Sequence, residues 1–217
     1  MIVYFLQRTH MPLDIWLTML VASILISVSP GAGAVVSMNY GLKYGLKRSY
    51  AAIFGLQTGL FIQTFIVVIG LGSLIMKSIL LFNIIKWIGV VYLIFLGIMK
   101  FIEKPHLPSD TEHIKAFSAK KAYIQATLIN LTNIKATVFL VAFIPQFLNP
   151  NEPLMHQFLI ICATLIGVDI IVMTGYSTLA SKLKNVIKSV RAIKIQNRLT
   201  GGFLLLAAFF ISTAKRA

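Results

Sequence analysis

The chain has 217 residues, 58% of them hydrophobic and only 12% charged, with a mean hydropathy of +0.86. A soluble domain carries about 25% charged residues, so this composition excludes a soluble enzyme, a disordered tail and a secreted disulfide scaffold. One cysteine, Cys162, allows neither an internal disulfide nor a multi-cysteine metal centre, and the net charge of +14 is spread between apolar runs rather than gathered into a nucleic-acid patch.

Six apolar runs qualify as membrane-spanning helices, which need about 20 mostly apolar residues. They cover residues 13–38, 50–76, 79–102, 122–148, 154–180 and 199–213. The apolar stretch within residues 1–10 is too short to span, and Met11-Pro12-Leu13-Asp14 reads as a natural start, so residues 1–12 are set apart as an N-terminal extension.

The first span carries an interruption, Ser29-Pro30-Gly31-Ala32-Gly33. Pro30 removes a backbone donor and clashes with the preceding turn, and Gly31 and Gly33 loosen the helix further. Backbone groups freed inside a bilayer must find partners. Two readings stand: a cavity for a zwitterion, or a plain kink packed by small residues. The small residues after this apolar stretch also resemble the end of a cleavable leader. Five further spans make the protein polytopic either way.

In the second span, Gly55 and Gly59 are four apart and suit a close helix contact, while Gln57 is a candidate to line a site. The third span ends in a linker, residues 103–121, with Pro105, Pro108, Ser109 and Asp110, expected to be mostly irregular. The fourth span has its own polar interruption, Asn130-Leu131-Thr132-Asn133-Ile134-Lys135. Lys135 would hold a carboxylate, balance an acid or snorkel to the surface; Asn130 and Asn133 would bind substrate or tie helices together. In the fifth span lies Asp169, the only acidic residue deep in any span. A carboxylate in lipid costs at least about 2.5–3.5 kcal/mol, so it should face a cavity or a partner. It would hold an ammonium, exchange a proton, or pair with Lys135. Thr174 and Tyr176 follow one to two turns later. Trp16 and Trp87, near span ends, suit interfacial anchoring.

Lys and Arg set the orientation. The loops after spans one, three and five hold three, five and six of them, fourteen together, against five on the opposite side. The basic loops are therefore expected in the cytoplasm, with both termini outside. An odd number of spans on either side of the linker makes the two halves, residues 13–102 and 122–217, inverted repeats if they are related. Interruptions at matching positions of two such halves point to a transport site at the midplane.

Several chemistries lack their residues. There is no His-Glu-x-x-His pair, no intramembrane Ser–His pair, no Gly-x-x-x-x-Gly-Lys loop, and no intramembrane histidine cluster, since the four histidines (10, 106, 113, 156) lie near the start, in loops or at the edge of a span. No cofactor, metal or catalytic residue is expected. A membrane-embedded enzyme such as a lipid acyltransferase, and a non-transporting assembly factor, are the competing readings.

Taken together, the runs resemble a known family. Ser27-Val28-Ser29-Pro30-Gly31-Ala32-Gly33-Ala34, Gly55-Leu56-Gln57-Thr58-Gly59, Asn130 to Lys135, and Phe143-Ile144-Pro145-Gln146-Phe147 are similar to the signatures of the lysine-exporter (LysE/RhtB) family. Val168 to Tyr176 is most similar to its homoserine-exporting branch. The family usually has proline where Ile134 stands here, so the second break is expected to be softer. The resemblance covers residues 11–217. It implies an all-α protein of the bacterial inner membrane that exports homoserine, its lactone, threonine or similar small amino acids by proton antiport. Its partners would be substrate, protons and lipid, with a homodimer allowed.

Overall fold

The computed structural model describes residues 11–71, 78–103, 116–149, 151–182 and 190–213. The extension up to residue 10, most of the linker and part of the third basic loop fall outside these residues. Among the described residues, eight α-helices follow in chain order: α1 (Leu13–Val28), α2 (Ala32–Tyr44), α3 (Leu46–Phe65), α4 (Ile79–Ile102), α5 (Ala119–Leu131), α6 (Ile134–Phe143), α7 (Leu154–Lys182) and α8 (Val190–Thr213). No strand is present among the described residues. The last turn of α3 widens into a π-helix over Ile66–Leu71, and α6 tightens into a 3-10 turn over Ile144–Phe147.

The third span stands at its expected limits. Four others differ. The first continues to Tyr44, the second begins at Leu46, the fourth begins at Ala119 inside the expected linker, and the sixth begins at Val190. In the last case the added turns carry Arg191, Lys194 and Arg198, charges that hydropathy excludes but that an amphipathic helix end accommodates. Four helices are long and apolar enough to cross a membrane, and the pairs α1–α2 and α5–α6 bring the number to six when each bent pair is one span. The bends are 56° and 55°. This is an all-α membrane protein, and its lipid-facing surface is apolar, with Leu80, Val91, Ile171 and Phe209 all exposed.

Small residues set how closely the helices approach. A Cβ on Gly55 would overlap the Tyr123 carbonyl, and one on Gly59 would lie 2.8 Å from the Asn130 side chain. The contact expected of this glycine pair is therefore the seam between α3 and α5. Across it, Thr127 Oγ1 donates to the Gly55 carbonyl (3.0 Å) and Asn130 Nδ2 to the Leu56 carbonyl (2.6 Å). Between α4 and α8, Gly97 and Gly201 face each other's carbonyls at 3.1 and 2.8 Å from their would-be Cβ positions.

The helices divide into two levels at the breaks. On the side of the basic loops, α2 packs on α7 and α3, and α5 packs on α3, around Ala34, Ala52, Ile53, Leu56, Ala126 and Met173. On the opposite side, α1 packs on α7 and α8, and α6 packs on α4. The larger core lies there, including Met19, Phe139, Phe143, Phe147, Leu204 and Ile211.

Candidate functional site

The first break begins where α1 runs out of helix. Ser29, at φ −69° and ψ 108°, is extended, and Gly31 precedes α2 with no side-chain cap. The carbonyls this frees are satisfied from elsewhere. The Tyr176 hydroxyl donates to the Val28 carbonyl at 2.6 Å. Lys135 Nζ donates to the Ser29 carbonyl at 2.8 Å and to Ser29 Oγ at 3.0 Å. A cation at a helix C-terminus meets the negative end of its dipole, so the ammonium has both hydrogen bonds and a favourable field. Gly31 lies against it: a Cβ there would sit 3.3 Å from Nζ.

The second break is as sharp as the first, so Ile134 does not soften it. Proline is not needed, because Asn133 starts α6 by accepting from the Ala136 amide on Oδ1 at 3.3 Å. The Asn133 amide in turn donates to the Asn130 carbonyl at 3.0 Å. Gln63 Nε2 reaches the freed Leu131 carbonyl at 3.4 Å and bonds Thr137 Oγ1 at 2.8 Å. Each break is thus held partly by a polar side chain from the unbroken second helix of the other half: Tyr176 on α7, Gln63 on α3.

Asp169 sits in α7 facing the first break. Ser27 Oγ donates to its Oδ1 (3.0 Å) and Gln57 Nε2 to its Oδ2 (2.8 Å). Asp169 and Lys135 form no direct ion pair, although both line one cavity of about 80 Å³. The pairing that a close acid and base in a membrane suggests is therefore replaced by a divided arrangement. The cation is held by the broken backbone of α1, the anion by side chains of α1 and α3, and space lies beside both.

That cavity also has Ser29, Gly31, Gly33, Asn130 and Asn133 in its walls, with an apolar side formed by Leu56, Phe139, Leu165 and Met173. Of the sequence candidates, Gln57 reaches the cavity through Asp169, and Tyr176 acts on the α1 terminus behind it. Pro30 instead lines a larger neighbouring cavity of about 450 Å³ between α2, α4 and α8. Gly31, Asn133 and Lys135 belong to both cavities. Ser27 and Gln63 are not among the sequence candidates. Their only signal in sequence is a polar side chain near a break or in an apolar span. Of the tryptophans, Trp16 donates to Thr164 Oγ1 at 3.1 Å, and Trp87 is exposed.

The profile of the LysE type translocator family matches residues 24–214. The chain belongs to that family. The LysE type match spans both breaks, both charged residues, the last turn of α1 and all of the other seven helices. Over 207 residues the chain is 39% identical to the homoserine/homoserine lactone efflux protein of Salmonella typhimurium, covering 95% of this chain and all of that one. It is 40% identical over 205 residues to a membrane protein of Vibrio cholerae, covering 94% and 100%. It is 30% identical over 137 residues to the leucine efflux protein of Klebsiella pneumoniae, covering 63% and 64%. No solved structure matches.

Proposed function

We propose that the protein is a secondary transporter that exports homoserine, homoserine lactone, threonine or similar small amino acids from the bacterial cytoplasm across the inner membrane, by proton antiport. One observation carries this reading: the amine of Lys135 and the carboxyl of Asp169 line one cavity without forming a direct ion pair. That is the complement of a zwitterion. The substrate ammonium is assigned to Asp169 and its carboxylate to Lys135, with the side chain against Leu56 and Met173. A lactone lacks the free carboxylate and would keep only the Asp169 contact.

Antiport follows from the same carboxylate. Asp169 accommodates an ammonium or a proton, not both, so release of substrate outside and uptake of a proton are alternatives at one group. The names of the Salmonella and Klebsiella relatives support amino-acid efflux. Two broken spans, each first in a set of three, support reading the halves as inverted repeats, with the basic loops in the cytoplasm and both termini outside. Partners are then the amino acid, protons and lipid.

The test is efflux of labelled homoserine, its lactone, threonine and leucine from proteoliposomes under an imposed proton gradient. At least one should leave faster with the gradient than without it, and unlabelled members of the set should compete. Equal rates with and without the gradient for all four would reject antiport of this class.

A further inference from the structure

The two levels of the molecule are not equally closed. The helices α4 and α8 pack on each other along their length. On the side away from the basic loops, α8 also packs on α1 and α4 on α6. On the basic side they leave α2 across a cavity of about 450 Å³, whose lining toward the basic loops includes Leu42, Lys100, Glu103 and Asn197. There Lys100 pairs with Glu103, and Asn197 Nδ2 reaches the Glu103 carbonyl at 3.5 Å. At its inner end Gly31, Asn133 and Lys135 pass into the cavity that holds Asp169.

The other direction is blocked by a column of rings. Phe139 lines the central cavity, Phe143 stacks on it with centroids 4.6 Å apart, and Phe147 follows at 4.6 Å. All three are buried. Their helix is pinned from outside: Ala142 fills the space a Cβ on Gly89 would need, and the 3-10 turn Ile144–Phe147 packs on the π-helical turn of α3. Stacked buried rings exclude water and any charged solute.

We propose that the cavity between α2, α4 and α8 is the loading route for the zwitterionic substrate, open to the basic-loop face, and that Phe139, Phe143 and Phe147 form the closed gate on the exit side. Release then requires α6 to turn about residues 132–133, carrying the column away from the α1–α8 side, while α2 closes onto α4 and α8. The proposal rests on the transport reading above, but its test does not need a known substrate.

The experiment is sided thiol labelling in vesicles of the full chain with Cys162→Ala as background. Three single-cysteine variants are compared: Lys47→Cys to mark the basic-loop face, Met38→Cys in the loading route and Phe143→Cys in the gate. Each is treated from one face at a time with a membrane-impermeant methanethiosulfonate cation and read by mass. Met38→Cys should react from the face that labels Lys47→Cys at least tenfold faster than from the other, and Phe143→Cys from neither. Equal reaction of Met38→Cys from both faces, or reaction of Phe143→Cys from the face opposite Lys47→Cys, overturns the proposal. Should Phe143→Cys fail to accumulate, Phe147→Cys replaces it: no reaction from either face supports the gate, and reaction from the face opposite Lys47→Cys overturns it. The expected labelling without any efflux faults the substrate assignment, not the route.

Discussion

At the scale of single residues, Asp169 and Lys135 differ in what holds them, and their variants should differ accordingly. Asp169→Asn keeps a similar shape and an acceptor for Ser27, but cannot titrate. The variant is expected to insert and accumulate normally and to lose gradient-driven efflux, with substrate exchange retained. Undiminished gradient-driven efflux would remove Asp169 from coupling. Because Lys135 is anchored on Ser29 and not on Asp169, Lys135→Met added to Asp169→Asn should bring no recovery; restored efflux in the double variant would show that the two residues pair during transport. The neighbouring glycines separate charge from space. Gly31→Ala places a methyl 3.3 Å from Lys135 Nζ, so it should displace the ammonium and slow efflux of every zwitterion several-fold. Gly33→Ala meets Leu56 and Met173 at 3.6 Å, an ordinary contact, and should discriminate against larger side chains while sparing small ones. A uniform loss in Gly33→Ala, measured across the same amino-acid panel, would show that the apolar wall does not read side-chain size.

At the scale of elements, the breaks were legible in the sequence and their fastening was not. Ser29-Pro30-Gly31 and Asn130 to Asn133 announce lost helix through residue types that weaken or cap helices. Nothing local says that Tyr176 and Lys135, more than a hundred residues away, would reach the Val28 and Ser29 carbonyls. Nor does residue spacing distinguish a Lys135 bound to Asp169 from one bound to backbone, since a long flexible stem permits both. Ile134 misleads for a related reason: the family proline suggests what bends the span, whereas Asn133 suffices as a cap. The start of α8 escapes hydropathy because its first turns are charged. Pro30→Ala restores a backbone donor that can return to the Ile26 carbonyl. It is expected to straighten the first span and reduce efflux with little change in abundance; normal efflux at equal abundance would leave the break a mere kink. Gly55→Ala acts on a seam and not on the site. Its methyl overlaps the Tyr123 carbonyl, and overpacking of this kind costs about 1–3 kcal/mol. Unfolding in detergent should therefore shift to milder conditions, most of all among single Gly→Ala variants on the α3–α5 seam.

At the scale of the whole molecule, the proposed orientation rests on fourteen basic residues against five, a bias that acts during insertion. Adding lysines at Asn151 and Glu152, between spans four and five, should frustrate insertion of the second half, seen as protease-accessible product; unaltered topology would show that charge is not what orients it. The reciprocal contact of Gly97 with Gly201 has a further consequence. With the Leu205 side chain seated against Gly97 and the Phe101 ring against Gly201, the two helix surfaces interlock, so α4 and α8 have little freedom to slide past each other and are expected to travel as one rigid body. Their outer surface, with Ile88, Val91 and Phe209 at 63% exposure each, is embedded in acyl chains. Where the closing of α2 onto α4 and α8 tilts that pair, it displaces lipid over the length of a bilayer against the friction of the acyl chains. Turnover should thus slow in proportion as the membrane stiffens, at unchanged substrate affinity, making membrane fluidity a rate-setting element of the transport cycle.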